Sequence, residues 1–282
     1  LPLQEHNYWL TTTDFPKTQP RPLPARVDVA VIGAGFTGLS AARTLAKRGA
    51  KVAVLESETI GWGASSRNGG MVLTGMKLGV NKLIAMYGRE LTRRMYAASL
   101  ETLDCVEQII REEAIDCDFS RCGHLEVACK QKHFDDYARQ AEVIARELNH
   151  QLRVVQRHEL NAEIGSTIYY GGMVDEVSAG LNPARYVAGL GRAAMKAGAE
   201  IFEHTCVEGL QRESRQGESG WKIVTSQGTL WAREVFVGTS GYTDKATPAL
   251  QKKLIPIGSF IITTEILPEA LAHELSPRNR MI

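Results

Sequence analysis

No apolar run in this 282-residue chain approaches the roughly 18 to 20 residues that a membrane helix needs, so no membrane partner is expected. The first stretch, LPLQEHNYWLTTTDFPKTQPRPLPARVD, lacks a basic head followed by an apolar core and does not read as a signal peptide. Cysteine is scarce. Cys105, Cys117, Cys122, Cys129 and Cys206 are odd in number and form no C-x-x-C pair, which argues against a disulfide framework and for reduced thiols in a cytoplasmic protein. Cys117, Cys122 and His124 show no evident further metal ligand, so no metal is expected and burial near a strand explains the thiols better. A net charge of +1 gives no electrostatic reason for a nucleic-acid partner or an anionic lipid surface. What is present, 44% hydrophobic and 23% charged residues, is the composition of a globular protein with one large or two ordinary domains.

The strongest positive feature is Val27 to Glu56, VDVAVIGAGFTGLSAARTLAKRGAKVAVLE. Val27, Val29, Val31 and Ile32 suit a buried parallel strand, and Gly33, Gly35 and Gly38 follow as a G-x-G-x-x-G turn. In such a unit the first glycine permits the tight turn, the second admits a pyrophosphate, and the third lets helix and strand approach. A helix starting near Thr37 aims its unpaired amides and positive dipole end at the phosphates. Leu39, Ala42, Leu45 and Ala46 recur at helical spacing, Gly49 ends the helix, and Lys51 to Leu55 form a second strand. Glu56 then stands where a carboxylate accepts hydrogen bonds from both ribose hydroxyls and repels a 2′-phosphate, which favours FAD or NAD over NADP.

Ile60 to Val72, IGWGASSRNGGMV, is too rich in glycine and small polar residues for a packed helix and reads as a loop pressed against a ligand. Gly61, Gly63, Gly69 and Gly70 allow close backbone approach, Ser65 and Ser66 offer hydroxyls, and Arg67 offsets phosphate charge; this density of glycine also favours a buried loop around Arg67 and Asn68. A second dinucleotide-contacting loop is more typical of FAD, which lies extended through a protein, than of NAD. The fingerprint followed by GASSRNGG resembles the D-amino-acid oxidase (DAO) superfamily of FAD-dependent amine oxidoreductases, and within it is similar to the gamma-glutamylputrescine oxidase branch. Ile115 to Ala128 resembles the strand entering that branch's substrate domain, and Asn182 to Val207 its second FAD-domain segment. Val235 to Tyr242 resembles the strand and turn under the cofactor, and Ile255 to Leu267 the strand back into the substrate domain. Thr239 and Ser240 depart from the Ala-Gly or Gly-Asn pair usual at that turn.

The resemblance implies an α/β fold: a Rossmann-like FAD-binding domain of glutathione-reductase type, with a discontinuous α+β substrate domain on a mixed or antiparallel sheet. The expected division is an N-terminal arm over 1–26, an FAD-binding domain over 27–79 and 176–245, and a substrate domain over 80–175 and 246–282. It also implies the cofactor contacts. Gly33, Ala34, Gly35, Phe36, Thr37 and Gly38 would form the turn, and Glu56 and Ser57 would follow the second strand. Gly63, Ala64, Ser65, Arg67, Asn68, Gly69, Gly70 and Met71 would form the loop, Val207 would meet adenine through its backbone, and Thr239, Ser240 and Gly241 would lie under the flavin. Relatives that bind FAD covalently through this loop use a histidine, and none occurs from Gly61 to Gly70, so non-covalent FAD is expected. The family continues past the position of Ile282, and this chain begins with Leu1 rather than Met, so a fragment of a longer protein is expected.

Elsewhere, Val80 to Ala114 reads as one or two amphipathic helices and Phe134 to Leu148 as another, with His124 to Ala128 strand-like between them. Pro183 opens a helix through Lys196 that Gly198 closes. Three strands follow, Glu200 to Arg212, Trp221 to Thr225 and Leu230 to Val237, with Gly217 to Gly220 as a hairpin turn. Pro16 to Pro24 reads as an extended arm laid over a surface, and Pro268 to Leu275 as helix-like. The chemistry implied is oxidation of the CH–NH group of an amine or amino acid, a gamma-glutamylputrescine-like compound included. Hydride passes to flavin N5, the imine is hydrolysed, and oxygen or another acceptor reoxidises the flavin. Such chemistry needs no Ser-His-Asp or metal constellation, so no catalytic residue is assigned; His124 is the candidate for a substrate-pocket residue, and His204 reads as structural. An NAD-dependent dehydrogenase, or a non-catalytic FAD-binding subunit of a larger complex, are the alternatives. The amine and the oligomeric state are not legible.

Overall fold

The structure is a computed structural model that describes residues 5–215 and 217–282. The apolar run after the arm forms β1 (Arg26–Ile32), the glycine turn leads into α1 (Phe36–Lys47), and Gly49, at φ +87°, turns the chain into β2 (Val52–Leu55). The GASSRNGG loop follows, then the short β3 (Met71–Val72). The amphipathic stretch beyond it is two helices, α2 (Val80–Tyr87) and α3 (Arg89–Glu112), because Gly88 at φ +77° interrupts the helical path. β4 (His124–Val127), α4 (Gln131–Leu148), β5 (Arg153–Gln156), β6 (Gly171–Asp175) and β7 (Ala179–Gly180) come next. α5 (Pro183–Lys196) leads to β8 (Glu200–Phe202), β9 (Val207–Arg215), β10 (Glu218–Thr225) and β11 (Gly228–Val237), and two short helices, α6 (Pro248–Gln251) and α7 (Glu269–Leu275), complete the order.

The chain divides into two compact units. The first comprises Leu1–Gly69, Ile115–Cys117 and Pro183–Ile262. Its six-stranded sheet has the order β8-β2-β1-β11-β10-β9, parallel from β8 to β11 and antiparallel from β11 to β9. Val31, Ala30, Ala53 and Val54 have no exposed surface, as expected for strands covered on both faces. Fully buried Leu39 and Ala42 of α1 and Val187, Leu190 and Ala194 of α5 contribute further core. The second unit comprises Gly70–Ala114, Asp118–Asn182 and Thr263–Ile282, built on the antiparallel sheet β4-β6-β5 and the pair β3-β7. Leu125, Val155 and Val174 of its larger sheet cluster with Leu160 of the 3-10 turn Leu160–Ala162. The other face of that sheet carries Met173 and Ala128 against Tyr137 of α4.

These units break at points other than the expected domain bounds. Residues 70–79 and 176–182 fall with the second unit, because β3 pairs with β7 and the Thr74 hydroxyl donates to Asp175, while residues 246–262 fall with the first. Three local expectations are corrected. Glu200 to Arg212 is two strands, not one: the chain leaves β8 after Phe202, passes His204 at φ +54°, and starts β9 at Val207. In this crossing Glu56 N–H donates to Phe202 O at 2.9 Å and Thr205 N–H to Glu56 O at 2.7 Å, so the segment pairs with the end of β2 instead of continuing β8. Gly220 is no turn residue. It lies buried within β10, where a Cβ would stand 2.2 Å from the Trp231 ring, so the glycine makes room for the largest fully buried side chain while Gly217, at φ +82°, belongs to the bend. Ile255 to Leu267 forms no strand; Ile255, Ile257, Phe260, Ile262 and Ile266 are 85% or more exposed, and no described strand pairs with them.

Candidate cofactor cradle and a polar cluster

The ends of β1 and β2 converge on the glycine turn of the first unit. Gly33, at φ +98°, donates its N–H to Leu55 O at 2.8 Å, and a Cβ there would lie 3.0 Å from Gly238 O. Gly38 is still more constrained, since a Cβ would sit 1.9 Å from Gly33 O. Gly35 caps α1 without a side chain, and the first turn of α1 itself carries no acidic residue. Glu56 closes the turn from the β2 side. Its Oε2 accepts Ala34 N–H at 2.7 Å, while Oε1 accepts Glu58 N–H at 3.0 Å and the Ser57 hydroxyl at 3.3 Å.

The GASSRNGG loop folds against the same helix end through a short 3-10 turn, Ala64–Ser66. Ser65 Oγ accepts Phe36 N–H at 2.9 Å, and Gly61 N–H donates to Ala34 O at 3.0 Å. Asn68 Nδ2 donates to Ala64 O at 3.0 Å, closing the turn on itself. Arg67 is exposed rather than buried: its Nε donates to Trp62 O at 2.7 Å and its guanidinium lies 4.7 Å from the Trp62 ring centre. Trp62 in turn meets Tyr242 edge-on, and a Cβ on Gly63 would lie 2.9 Å from the Tyr242 ring, so the loop and the 239–242 turn come together. Thr239 and Thr243 share a hydroxyl contact at 2.6 Å, Ser240 takes φ +49°, and Ser240 and Gly241 are exposed. Val207 is buried in the cluster that holds Leu55 and Phe202. The expected contacts from Gly33 to Gly69, with Val207 and 239–241, thus all lie in the first unit, whereas Gly70 and Met71 belong to the second, at β3.

The second unit gathers polar side chains that the sequence did not mark. Asp175, at the end of the fully buried run Gly171–Asp175, accepts from His150 Nε2 at 3.2 Å, Val177 N–H at 3.0 Å, the Ser178 hydroxyl at 3.0 Å and the Thr74 hydroxyl. Burial alone would raise its pKa, but the hydrogen bonds from His150, Thr74 and Val177 outweigh it and hold the carboxyl down at about 2. His124 sits opposite Asp175 in the β4–β6 register, half-buried. Burial pushes its pKa below the ordinary imidazole value, against the opposing pull of Glu126 and Asp175, which keeps the ring neutral at pH 7. His124, Tyr96, Thr74, Asp175 and Met173 line a cavity of about 480 Å³ with apolar walls from Leu83, Val143 and Leu152. His204 is exposed on the β8–β9 crossing and donates its backbone N–H to Glu58 O. All five cysteines are free thiols. Among the described residues no helix is long and apolar enough to cross a membrane.

This turn, the acid at the end of the second strand and the serine at the helix end form one cradle, and a family model described as "DAO: FAD dependent oxidoreductase" matches residues 28–281. The chain belongs to this FAD dependent oxidoreductase family. Family membership settles the choice left open by the glycine turn: the cofactor is FAD, not NAD. The residues present fit it: a glycine turn opens into a helix N-terminus whose first N–H meets the Ser65 hydroxyl, a setting suited to a pyrophosphate, and the Glu56 carboxylate after the second strand would suit a ribose. The chain is 33% identical over 253 residues to the probable oxidoreductase OrdL of Haemophilus influenzae, covering 88% of this chain and 58% of that protein. It is also 33% identical over 253 residues to the gamma-glutamylputrescine oxidoreductase of Escherichia coli, covering 89% and 58%. The chain therefore spans 58% of the length of these relatives. The crystal structure of glycine oxidase from Geobacillus kaustophilus shares the fold with a TM-score of 0.66 at 24% identity, over 80% of this chain and 59% of that one. L-amino acid deaminase from Proteus vulgaris does so with a TM-score of 0.66 at 20% identity, over 84% and 53%.

Proposed function

We propose that the protein to which this chain belongs oxidises the carbon–nitrogen bond of an amine or amino acid. The observation that carries this reading is the cradle of Gly33–Gly38, Glu56 and Ser65, joined to membership of a family of FAD dependent oxidoreductases. FAD, when bound, supplies the two-electron acceptor. Glu56 takes the adenosine ribose, and the backbone at Val207 meets the adenine. The N-terminal amides of α1 and the Ser65 hydroxyl take the pyrophosphate, while Arg67 and Asn68 with the 239–241 turn serve the flavin end. The glycines contribute by what they leave out, since a side chain at 35 would enter the space beside Ser65 and side chains at 33 and 38 would collide with the backbone that shapes the turn.

On the substrate side, the cavity beside His124 has apolar wall at Leu83, Val143 and Leu152 for a chain of methylenes and polar groups such as Thr74, Glu126 and Asp175 for its ends. His124, half-buried at the cavity with its pKa lowered by burial, is a weak base toward an ammonium group and serves instead as a hydrogen-bond partner for the neutral amine. A free alkylamine resembles lysine, with a pKa of about 10, and only its neutral form has the lone pair that expels hydride, so reduction should accelerate as pH rises. A gamma-glutamylputrescine-like amine is the leading substrate, supported by the Escherichia coli relative that carries that name. Oxygen or another acceptor would complete the cycle.

The test is anaerobic mixing of the full-length protein with gamma-glutamylputrescine, putrescine, sarcosine and several D-amino acids across pH 7 to 10, following flavin absorbance. Bleaching by at least one amine, faster at higher pH, is expected. Bleaching only by a 2-hydroxy acid or NADH would overturn amine oxidation, and bound flavin that none of these reduces would point to a non-catalytic FAD-binding subunit.

A further inference from the structure

We propose that the N-terminal arm is a brace for the FAD-facing loop, with Asn7 and Trp9 as positioning residues for the cofactor. The inference rests on the reading that the GASSRNGG loop serves FAD, and goes beyond it by assigning a role to a segment outside the Rossmann unit. The arm touches the loop at successive points. Asn7 Nδ2 donates to Ser66 O at 2.8 Å and to Ser66 Oγ at 3.2 Å, and Ser66 has no exposed surface. Trp9 Nε1 donates to Asn68 O at 3.0 Å. Farther along, a Cβ on Gly61 would lie 3.2 Å from the Phe15 ring, and the Thr18 hydroxyl donates at 2.5 Å to Glu203, whose other oxygen accepts Ile60 N–H at 2.8 Å.

The arm is itself held in place. Asn7 Oδ1 accepts Trp9 N–H at 3.1 Å and starts the short 3-10 turn Tyr8–Thr11. Arg185 and Arg192 of α5 donate to Thr12 O at 3.1 Å and Asp14 O at 3.0 Å. The loop is thus gripped from both sides. The hydroxyl of Ser65 faces the N-terminus of α1, while the backbone of its neighbour Ser66 is fixed by Asn7. Carbonyls at 66 and 68 that point at the arm cannot turn toward a pyrophosphate, so the arm keeps acceptor oxygens away from an anion and leaves hydroxyl and amide donors facing it.

The variants that separate this role from general stability follow from the geometry. Asn7→Asp keeps the acceptor for Trp9 N–H and loses the donor to Ser66; Trp9→Phe keeps the ring and loses the donor to Asn68. Arg21→Ala, which loosens the arm at its surface pair with Glu200, is the control. In the full-length protein stripped of flavin, the dissociation constant of FAD should rise by about ten-fold in each of the first two variants, as expected for a lost buried hydrogen bond, and stay unchanged in the third. The constant for adenosine, which engages Glu56 but no part of the loop, should not move, while the thermal midpoint of the apoprotein falls by only a few degrees as the lost hydrogen bond requires. FAD affinity unchanged in both variants would overturn the brace, and so would parallel losses in FAD and adenosine affinity, which would mark the arm as structural packing only. A parent protein that binds adenosine but no FAD would overturn the loop's assignment to FAD, and the brace with it.

Discussion

The two units build their polar sites by opposite means. In the first, the cradle is mostly backbone: a turn whose glycines leave room, a helix end met by the Ser65 hydroxyl, and one carboxylate. In the second, the Asp175 cluster is mostly side chain, with Thr74, His150 and Ser178 converging on it, and a separate buried Glu163 is held between Arg153 and Arg280. A backbone site depends on where residues without side chains stand, and a side-chain site on groups that must stay paired. Substitutions in the first unit should therefore be read in flavin content, and those in the second in stability.

The largest effect is expected at Asp175. Replacement by Ala leaves His150, Thr74 and Ser178 without their shared acceptor, and leaving these groups unsatisfied should cost about 3 kcal/mol in all, measured as a fall in denaturation midpoint of the full-length protein. The same carboxylate gives a pH signature. It titrates near 2 when folded and at about 3.9 when unfolded, so its contribution is whole above about pH 4 and is lost as pH falls toward 2. In acid titrations the wild-type protein should lose stability over that window, and the Asp175→Ala variant should show a shallower slope there. An equal slope would mean that the cluster does not hold Asp175 charged.

Gly38→Ala comes next. Its Cβ would collide with Gly33 O, so the turn must shift, at a cost of about 1 to 3 kcal/mol with loss of most bound flavin. Gly49→Ala, at an open helix end, meets nothing within 4 Å but strains a backbone at φ +87°; it should cost about 1 kcal/mol and leave flavin content normal. Those two glycines sharpen the comparison within one unit, because only the first shapes the cradle. Glu56→Gln keeps an acceptor and loses the charge, and FAD affinity measured by equilibrium titration should weaken by about 1 to 2 kcal/mol.

The same contrast explains what could be read from the sequence. The Gly33 to Glu56 unit was legible because its chemistry is local: apolar alternation, glycine spacing and one acid fall within a single short stretch. The loop at 63–70 was legible as a motif, yet the exposure of Arg67 was not, because stacking on Trp62 depends on how the loop folds. The Asp175 cluster was invisible because its members come from distant stretches of chain; the one available signal was an acid closing the apolar run Gly171–Asp175. Gly220 misled because glycine marks both turns and close packing, and only the position of Trp231 separates them. Glu200 to Arg212 looked continuous because pairing with the end of β2, not composition, decides where β8 stops. Asn7 and Trp9 carried no signal, since an arm's partners are set by the surface beneath it.

The central claim is that the first unit holds FAD through its glycine turn. The direct measurement is flavin stoichiometry of the purified full-length protein beside its Gly35→Val variant, whose side chain would enter the space bounded by Ser65 Oγ. The account predicts about one FAD per chain in the wild type and almost none in the variant, with the folded far-ultraviolet spectrum retained. Equal flavin in both proteins would contradict it.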